Sequence, residues 1–198
     1  MDLTTTVLST GWASGVNAYL TVAMLGILGR SGVGPVPDDL QSNAVIAFAL
    51  VLFAIEFVVD KVPWLDSSWD AIHTAIRPAI GSFVGLSFAG DANASGIDEV
   101  LAAGGSGATA LTSHAVKAGI RLGVNASPEP FSNIVVSLGE DSMVALVVAF
   151  AINHPAFAAS VAGFLLAIGL CIVVLLWKTI RRALERRRSA AGPDPPGG

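Results

Sequence analysis

Apolar residues in this chain come in long runs separated by short, densely polar segments. A helix needs about 20 mostly apolar residues to cross the hydrocarbon core of a bilayer. About six stretches approach that length: Val7–Gly29, Asn43–Asp60, Ala71–Ala89, Val100–Gly119, Ile134–Asn153 and Pro155–Lys178. The second and third are short and interrupted by charge. The fourth is weak on hydropathy and rich in Gly, Ala, Ser and Thr, a composition that favours close helix packing over lipid exposure. The pattern predicts an all-α, polytopic membrane bundle of about six transmembrane helices over residues 1–180. Residues 181–198 would form a basic, then Gly/Pro-rich, disordered cytoplasmic tail.

Composition strengthens the membrane reading. Apolar residues make up 53% of the 198 positions and charged residues only 13%, about half the share of ordinary soluble domains. Met1–Ser9 carries Asp2 and no basic residue, so the first apolar run is expected to be a retained helix and not a signal peptide. The single Cys171 excludes an intrachain disulfide.

Net charge, -4, matters less than its distribution. With six spans, one face of the membrane collects Lys61, Lys117, Arg121, Lys178, Arg181, Arg182, Arg186, Arg187 and Arg188, with Arg77 nearby. The other holds Arg30 beside Asp38, Asp39, Asp91, Asp98 and Glu99. The positive-inside rule then predicts a multi-pass protein of the cell membrane with both termini cytoplasmic. The basic tail would lie against the anionic inner leaflet, making membrane lipids the expected partners.

Two short segments resemble each other. Ser14–Thr21 reads SGVNAYLT and Ser106–Thr112 reads SGATALT. Each falls at the start of a three-helix half, which is compatible with a 3+3 inverted repeat and broken helices lining a path. The match is short enough for chance to produce it as readily. Small-residue faces at Gly26–Gly29 and Gly104–Gly107 permit a homo-oligomer without requiring one.

Charge inside the apolar runs is the candidate chemistry. Glu56 and Asp60 are four residues apart and share a helix face. An ionised acid at mid-membrane costs about 2.5–3.5 kcal/mol on insertion scales, so Glu56 needs a proton, a partner or a wet cavity. Pro63 is expected to end the second helix, with Asp66 or Ser68 capping the third and Asp70 in its first turn. Trp64 and Trp69 read as interfacial anchors. Arg77 lies two turns into the third span and needs a carboxylate or water. Lys117 and Arg121 repeat the four-residue spacing, and Asn125, Ser127, Pro128 and Glu129 form a polar turn before the fifth helix, with Ser132 or Asn133 as its cap. Glu140 and Asp141 fall two turns into that helix and are the counterpart of Glu56. Ser14 and Asn17 are the polar members of the first broken-helix element. His73, His114 and His154 lack zinc spacing and read as interfacial or core residues. A hard-cation site from Glu56, Glu140 and Asp141 is chemically sounder, although no metal is specified.

The blocks SGVNAYLT, EFVVDKVPWLDSSWDAIHTAIRP and HAVKAGIRLGVNASPEPFSN…SLGED resemble the bacterial membrane family called domain of unknown function 4126. The resemblance covers nearly the whole chain except the tail. It implies an integral protein of the bacterial inner membrane and supplies no catalytic residues. No nucleotide loop, nucleophile arrangement or nucleic-acid patch is present, so neither enzyme activity, a cofactor nor a nucleic-acid partner is expected. The leading expectation is a small transporter or channel for a cation or a proton-coupled solute, acting through Glu56, Glu140 and Asp141. The alternatives are a binder or transporter of an anionic, phosphate-bearing lipid, held by Lys61, Arg77, Lys117 and Arg121, and a non-transporting membrane scaffold.

Overall fold

A computed structural model describes residues 2–125 and 130–190, and among these it contains seven α-helices and no strand. They are α1 (Leu3–Val16), α2 (Ala18–Arg30), α3 (Asn43–Val59), α4 (Pro63–Asp91), α5 (Ile97–Asn125), α6 (Pro130–Asn153) and α7 (Pro155–Ala190), with a 3-10 turn at Asp38–Gln41. The all-α expectation holds. Two helical stretches are long and apolar enough to cross a membrane, Phe131–Asn153 and Pro155–Arg182. α2 and α3 are apolar but shorter.

Four helix boundaries follow from local chemistry. Asp2 caps α1 by accepting from Thr4 N, and Ser42 caps α3 by accepting from Val45 N. The expected first span is not continuous. Asn17 takes up an extended conformation, ends α1 and caps α2 through its side chain, which accepts from Leu20 N at 2.9 Å. The role of Pro63 is also corrected. α3 ends at Val59, and Pro63 opens α4 at the first helical position, where its missing N–H costs nothing. Asp66 therefore lies inside the first turns of α4 and does not cap it.

α4 and α5 pack along each other, and α1 lies against both. Small residues set this contact. A Cβ on Gly11 would stand 2.7 Å from Ser106 O, and one on Gly15 would collide with Ser113 Oγ and Ala110 O. Ser113 Oγ donates to Trp12 O at 2.9 Å. The two look-alike segments are thus packed on one another but are not built alike. Asn17 interrupts a helix, whereas Gly105, Ser106 and Gly107 lie within the unbroken α5, so the expected second broken-helix element does not form.

Polarity is distributed inside out. Glu56, Asp60, Asp66, Arg77 and Arg121 are at most 1% exposed, while Phe48, Val51, Val58, Phe131, Phe164, Leu175 and Trp177 are each more than half exposed. α3 shows it most simply, because its only buried residues are Ala49 and Glu56. An apolar layer formed by Leu25, Leu40, Val147, Val148 and Ile152 joins α2, the 3-10 turn and α6.

Candidate functional site

Three cations form the hub, and each binds a helix C-terminus and carboxylates together. The last carbonyls of a helix lack partners and carry the negative end of its dipole, so cations settle there. Arg77 Nη1 donates to Gly15 O (3.2 Å) and Lys117 Nζ to Val16 O (3.1 Å), both at the end of α1 where Asn17 breaks the chain. Arg121 Nη1 donates to Asp60 O (3.0 Å) at the end of α3.

The carboxylates close around these groups. Arg77 Nη2 meets Glu56 Oε1 at 2.6 Å, and its Nη1 lies 3.3 Å from Asp70 Oδ1. Lys117 Nζ is 2.9 Å from Asp60, 3.6 Å from Glu140 and 3.7 Å from Glu56. Arg121 reaches Glu140 (2.8 Å), Asp60 (3.3 Å) and Asp66 (3.9 Å). Asp141 is the sixth acid, and it accepts from Asn17 Nδ2 at 2.9 Å. Glu140 is the most open of the five ion-paired acids, its side chain 16% exposed against 0–6% for Glu56, Asp60, Asp66 and Asp70.

Neutral groups hold the cations in place. Arg77 Nη1 lies 2.7 Å from His114 Nδ1. Arginine can only donate, so Nδ1 accepts and the ring proton is on Nε2, which points at Asp70 O (3.1 Å) and Thr74 Oγ1 (3.1 Å). His73 has the opposite tautomer. Its Nδ1 donates to Trp69 O, and Nε2 accepts from Tyr19 OH, each at 2.8 Å. Asn133 accepts from Arg121 Nη1 (2.6 Å) and donates to Asp60 O (2.9 Å). Asn125 Nδ2 donates to Asp66 Oδ2 (2.7 Å) and Ser67 Oγ (3.1 Å).

Of the residues expected from the sequence, Glu56, Asp60, Arg77, Lys117, Arg121, Glu140, Asp141, Asn17 and Asn125 come together here. Ser14 is buried in α1, and its hydroxyl makes no hydrogen bond to the described residues. Lys61 does not join. Its Nζ caps Phe57 O (2.6 Å) and lies over the Phe57 ring. Glu129 lies outside the described residues, as do Ser127, Pro128 and the last eight residues of the tail. The hard-cation set is not assembled, because the Lys117 ammonium stands between Glu56 and Glu140 while Asp141 turns to Asn17. Among the described residues, no group of three or more His, Cys, Asp or Glu converges as metal ligands would.

Sequence reasoning missed Asp66, Asp70, His114 and Asn133 as members. All four sit at positions that a cap or an interface explains equally well. The available signal was the spacing of Asp66, Asp70 and Arg77 on α4, which places all three near one face. Asp66 lies in the turns of α4 that precede the apolar stretch 71–89. Burial pushes its carboxyl up to about 6, against the opposing pull of Arg121 and the Asn125 hydrogen bond.

Acidic groups outnumber basic ones in the hub. Glu56, Asp60, Asp66, Asp70, Glu140 and Asp141 face Arg77, Lys117 and Arg121, six carboxylates to three cations. One oxygen each of Glu56, Asp60, Asp66 and Asp141, and both of Asp70, accept no hydrogen bond from the described residues. Cavities open onto two faces of α5. One, about 210 Å³, is lined by Asp70, Thr74 and Arg121, and the other, about 190 Å³, by Lys117 and Glu140.

The chain is therefore an all-helical protein built around a buried, acid-rich network of ion pairs. A family model described as "Domain of unknown function (DUF4126)" matches residues 4–177, and the protein belongs to that family. No curated protein and no solved structure matches the chain.

Proposed function

We propose that this is a multi-pass membrane protein that moves protons through the buried network, coupled to a solute. In this reading α1 and α2 together make one broken span, followed by α3, α4, α5, α6 and α7. The apolar exterior and charged interior support this reading. Such a pattern is costly in water, and in a bilayer it places ionisable groups where transport proteins use them. The half-helix ends at Asn17 have counterparts in transporters, where such ends bind the coupling ion. Here side-chain cations occupy the C-terminal end.

The observation that carries the reading is the excess of carboxylates. The six acids and three cations of the hub balance only when three protons are held. A buried carboxylate without a counter-charge costs several kcal/mol, so the network gains by taking up protons. Protons also suit the site better than a metal, whose position between Glu56 and Glu140 is taken by Lys117. The anionic-lipid reading has less support, since every N–H of Arg121 is engaged by acceptors within the protein and Arg77, whose Nε has no hydrogen-bond partner among the described residues, is fully buried.

Proteoliposomes containing a trapped pH dye test the proposal under an imposed potential, with and without Na, K, Mg, Ca and Mn gradients. The expected result is protein-dependent proton movement that Asp141→Asn reduces at least severalfold. No proton movement under any of these gradients, from protein that is folded, would instead support a scaffold whose charges specify its fold.

A further inference from the structure

The cavity on the Glu140 face of α5 has the shape and chemistry of a ligand site. Its walls are apolar, with Trp12 from α1, Met143 from α6 and Leu165, Ile168 and Ile172 from α7. At about 190 Å³ it is larger than the apolar cavities of about 150 Å³ that take up benzene in other proteins. One part of the wall is different. Lys117 and Glu140 both reach it, so an otherwise apolar space has a charged end.

What that end offers is decided by hydrogen-bond capacity. The Lys117 ammonium has three donors. One is directed to Asp60 Oδ2 at 2.9 Å and one to Val16 O at 3.1 Å. The third lies between Glu56 at 3.7 Å and Glu140 at 3.6 Å. At those distances the third makes no hydrogen bond, but the ammonium is buried and its charge is shared among Asp60, Glu56 and Glu140, so an anion approaching it meets three carboxylates. Glu140 has the reverse character. Its Oε2 takes the short contacts from Arg121, while Oε1 accepts only a long bond of 3.3 Å from Arg121 Nε. It is also the most open of the hub's ion-paired acids, and the hub carries three more carboxylates than cations.

We propose that this cavity binds a lipophilic amine: an aliphatic or aromatic body against Trp12, Met143 and Ile168, with a protonated N–H donating to Glu140 Oε1. The proposal deepens the transport reading by naming the class of its solute, and it rests on the same network. An ammonium head adds positive charge where acids are in excess. An anionic head is repelled by the same excess, and an alcohol can donate to the carboxylate but brings no positive charge.

The test is binding, measured apart from transport. Protein in nanodiscs is titrated with n-octylammonium, n-octanol and n-octanoate by calorimetry, with protein-free nanodiscs subtracted. Octylammonium should bind saturably and at least about tenfold more tightly than either other probe, the margin expected when the donor as well as the acceptor is charged. n-Octyltrimethylammonium, which has no N–H, should lose most of that margin. Glu140→Gln should bring octylammonium within about threefold of octanol. Ile168→Trp fills the apolar part from α7 without touching the network, and should abolish binding of all three probes while the protein stays folded. Equal binding of the three probes would reduce the cavity to a groove for any alkyl chain and overturn the proposal. Tighter binding of octanoate, or saturable binding unaffected by Ile168→Trp, would overturn it as well. Binding as expected without proton movement would retain the site and remove the transport reading, whereas proton movement without binding would do the reverse.

Discussion

Two buried regions of this molecule have similar exposure and opposite construction. The layer of Leu25, Leu40, Val147, Val148 and Ile152 joins α2 to α6 by non-directional contact. The hub of Arg77, Lys117 and Arg121 joins α1, α3, α4, α5 and α6 by hydrogen bonds of fixed direction. In the apolar layer a lost methyl group is a local loss. In the hub each cation serves several helices, so its removal strands carboxylates and helix-end carbonyls together. The hub therefore dictates one arrangement of the helices, and the layer only requires that they be close.

The largest effect should come from Arg77→Ala. It leaves Glu56, Gly15 O and His114 Nδ1 without their donor and Asp70 without its counter-charge. Breaking a buried pair from one side costs about 3–5 kcal/mol, read as the loss of unfolding free energy in mixed micelles. The double change Arg77→Met with Glu56→Gln should recover part of that loss, because it also removes the stranded charge. In the apolar layer Ile152→Val should cost about 0.5–1.5 kcal/mol and have no partner substitution that restores it. A hub loss no greater than the layer's, or one that no partner change rescues, would erase the distinction.

A smaller expected loss tests how the hub is assembled. Gly15→Ala places a methyl group against Ser113 and Ala110 O, forcing α1 away from α5. Overpacking of this kind costs about 1–3 kcal/mol. Because Arg77 and Lys117 reach the end of α1 only at the present spacing, proton movement should fall as well. Normal movement in a destabilised Gly15→Ala protein would show that α1 and the hub are independent.

Much of this was legible in the residues. Long apolar runs marked α3, α6 and α7, and the charges embedded in apolar sequence marked Glu56, Arg77, Lys117, Arg121, Glu140 and Asp141, because such groups must be paired. What was not legible is pairing across distance. Lys117 meets Asp60 and Glu140 only through the packing of α5 on α1, α3 and α6, and no local spacing encodes that. Asp66 and Asp70 were hidden because an acid after a proline is a good helix start in any environment. The metal set failed for a related reason: three carboxylates predict a cation, but not that the cation is a lysine of the same chain.

Asp66 gives the pH dependence. Its carboxyl titrates at about 6 when folded and at about 4 when unfolded. The folded state thus binds more protons between these values, so this group's contribution to stability falls as pH rises from about 4 to about 6 and is constant above. Infrared titration should show protonated-carboxyl absorption that falls through about pH 6, and the part due to this group should be missing in Asp66→Asn. Absorption that persists unchanged in that variant would assign the proton elsewhere in the hub.

The smallest effect should be that of Lys61→Ala, and it separates sequence proximity from membership. Lys61 follows Asp60 directly, in the middle of the most charged part of α3 and the turn after it, so by position it ranks with Lys117. Its amine nevertheless turns back to Phe57, capping one carbonyl and covering one ring at the surface. Substitutions at such positions change stability by no more than about 0.5 kcal/mol. Unfolding and proton movement in Lys61→Ala should therefore match the parent protein, while Lys117→Ala, one helix away, loses both. A Lys61→Ala protein that folds normally but moves protons several times more slowly would mean that the hub extends to the surface through the end of α3, and that the apolar ring now covering Lys61 is only one of its positions.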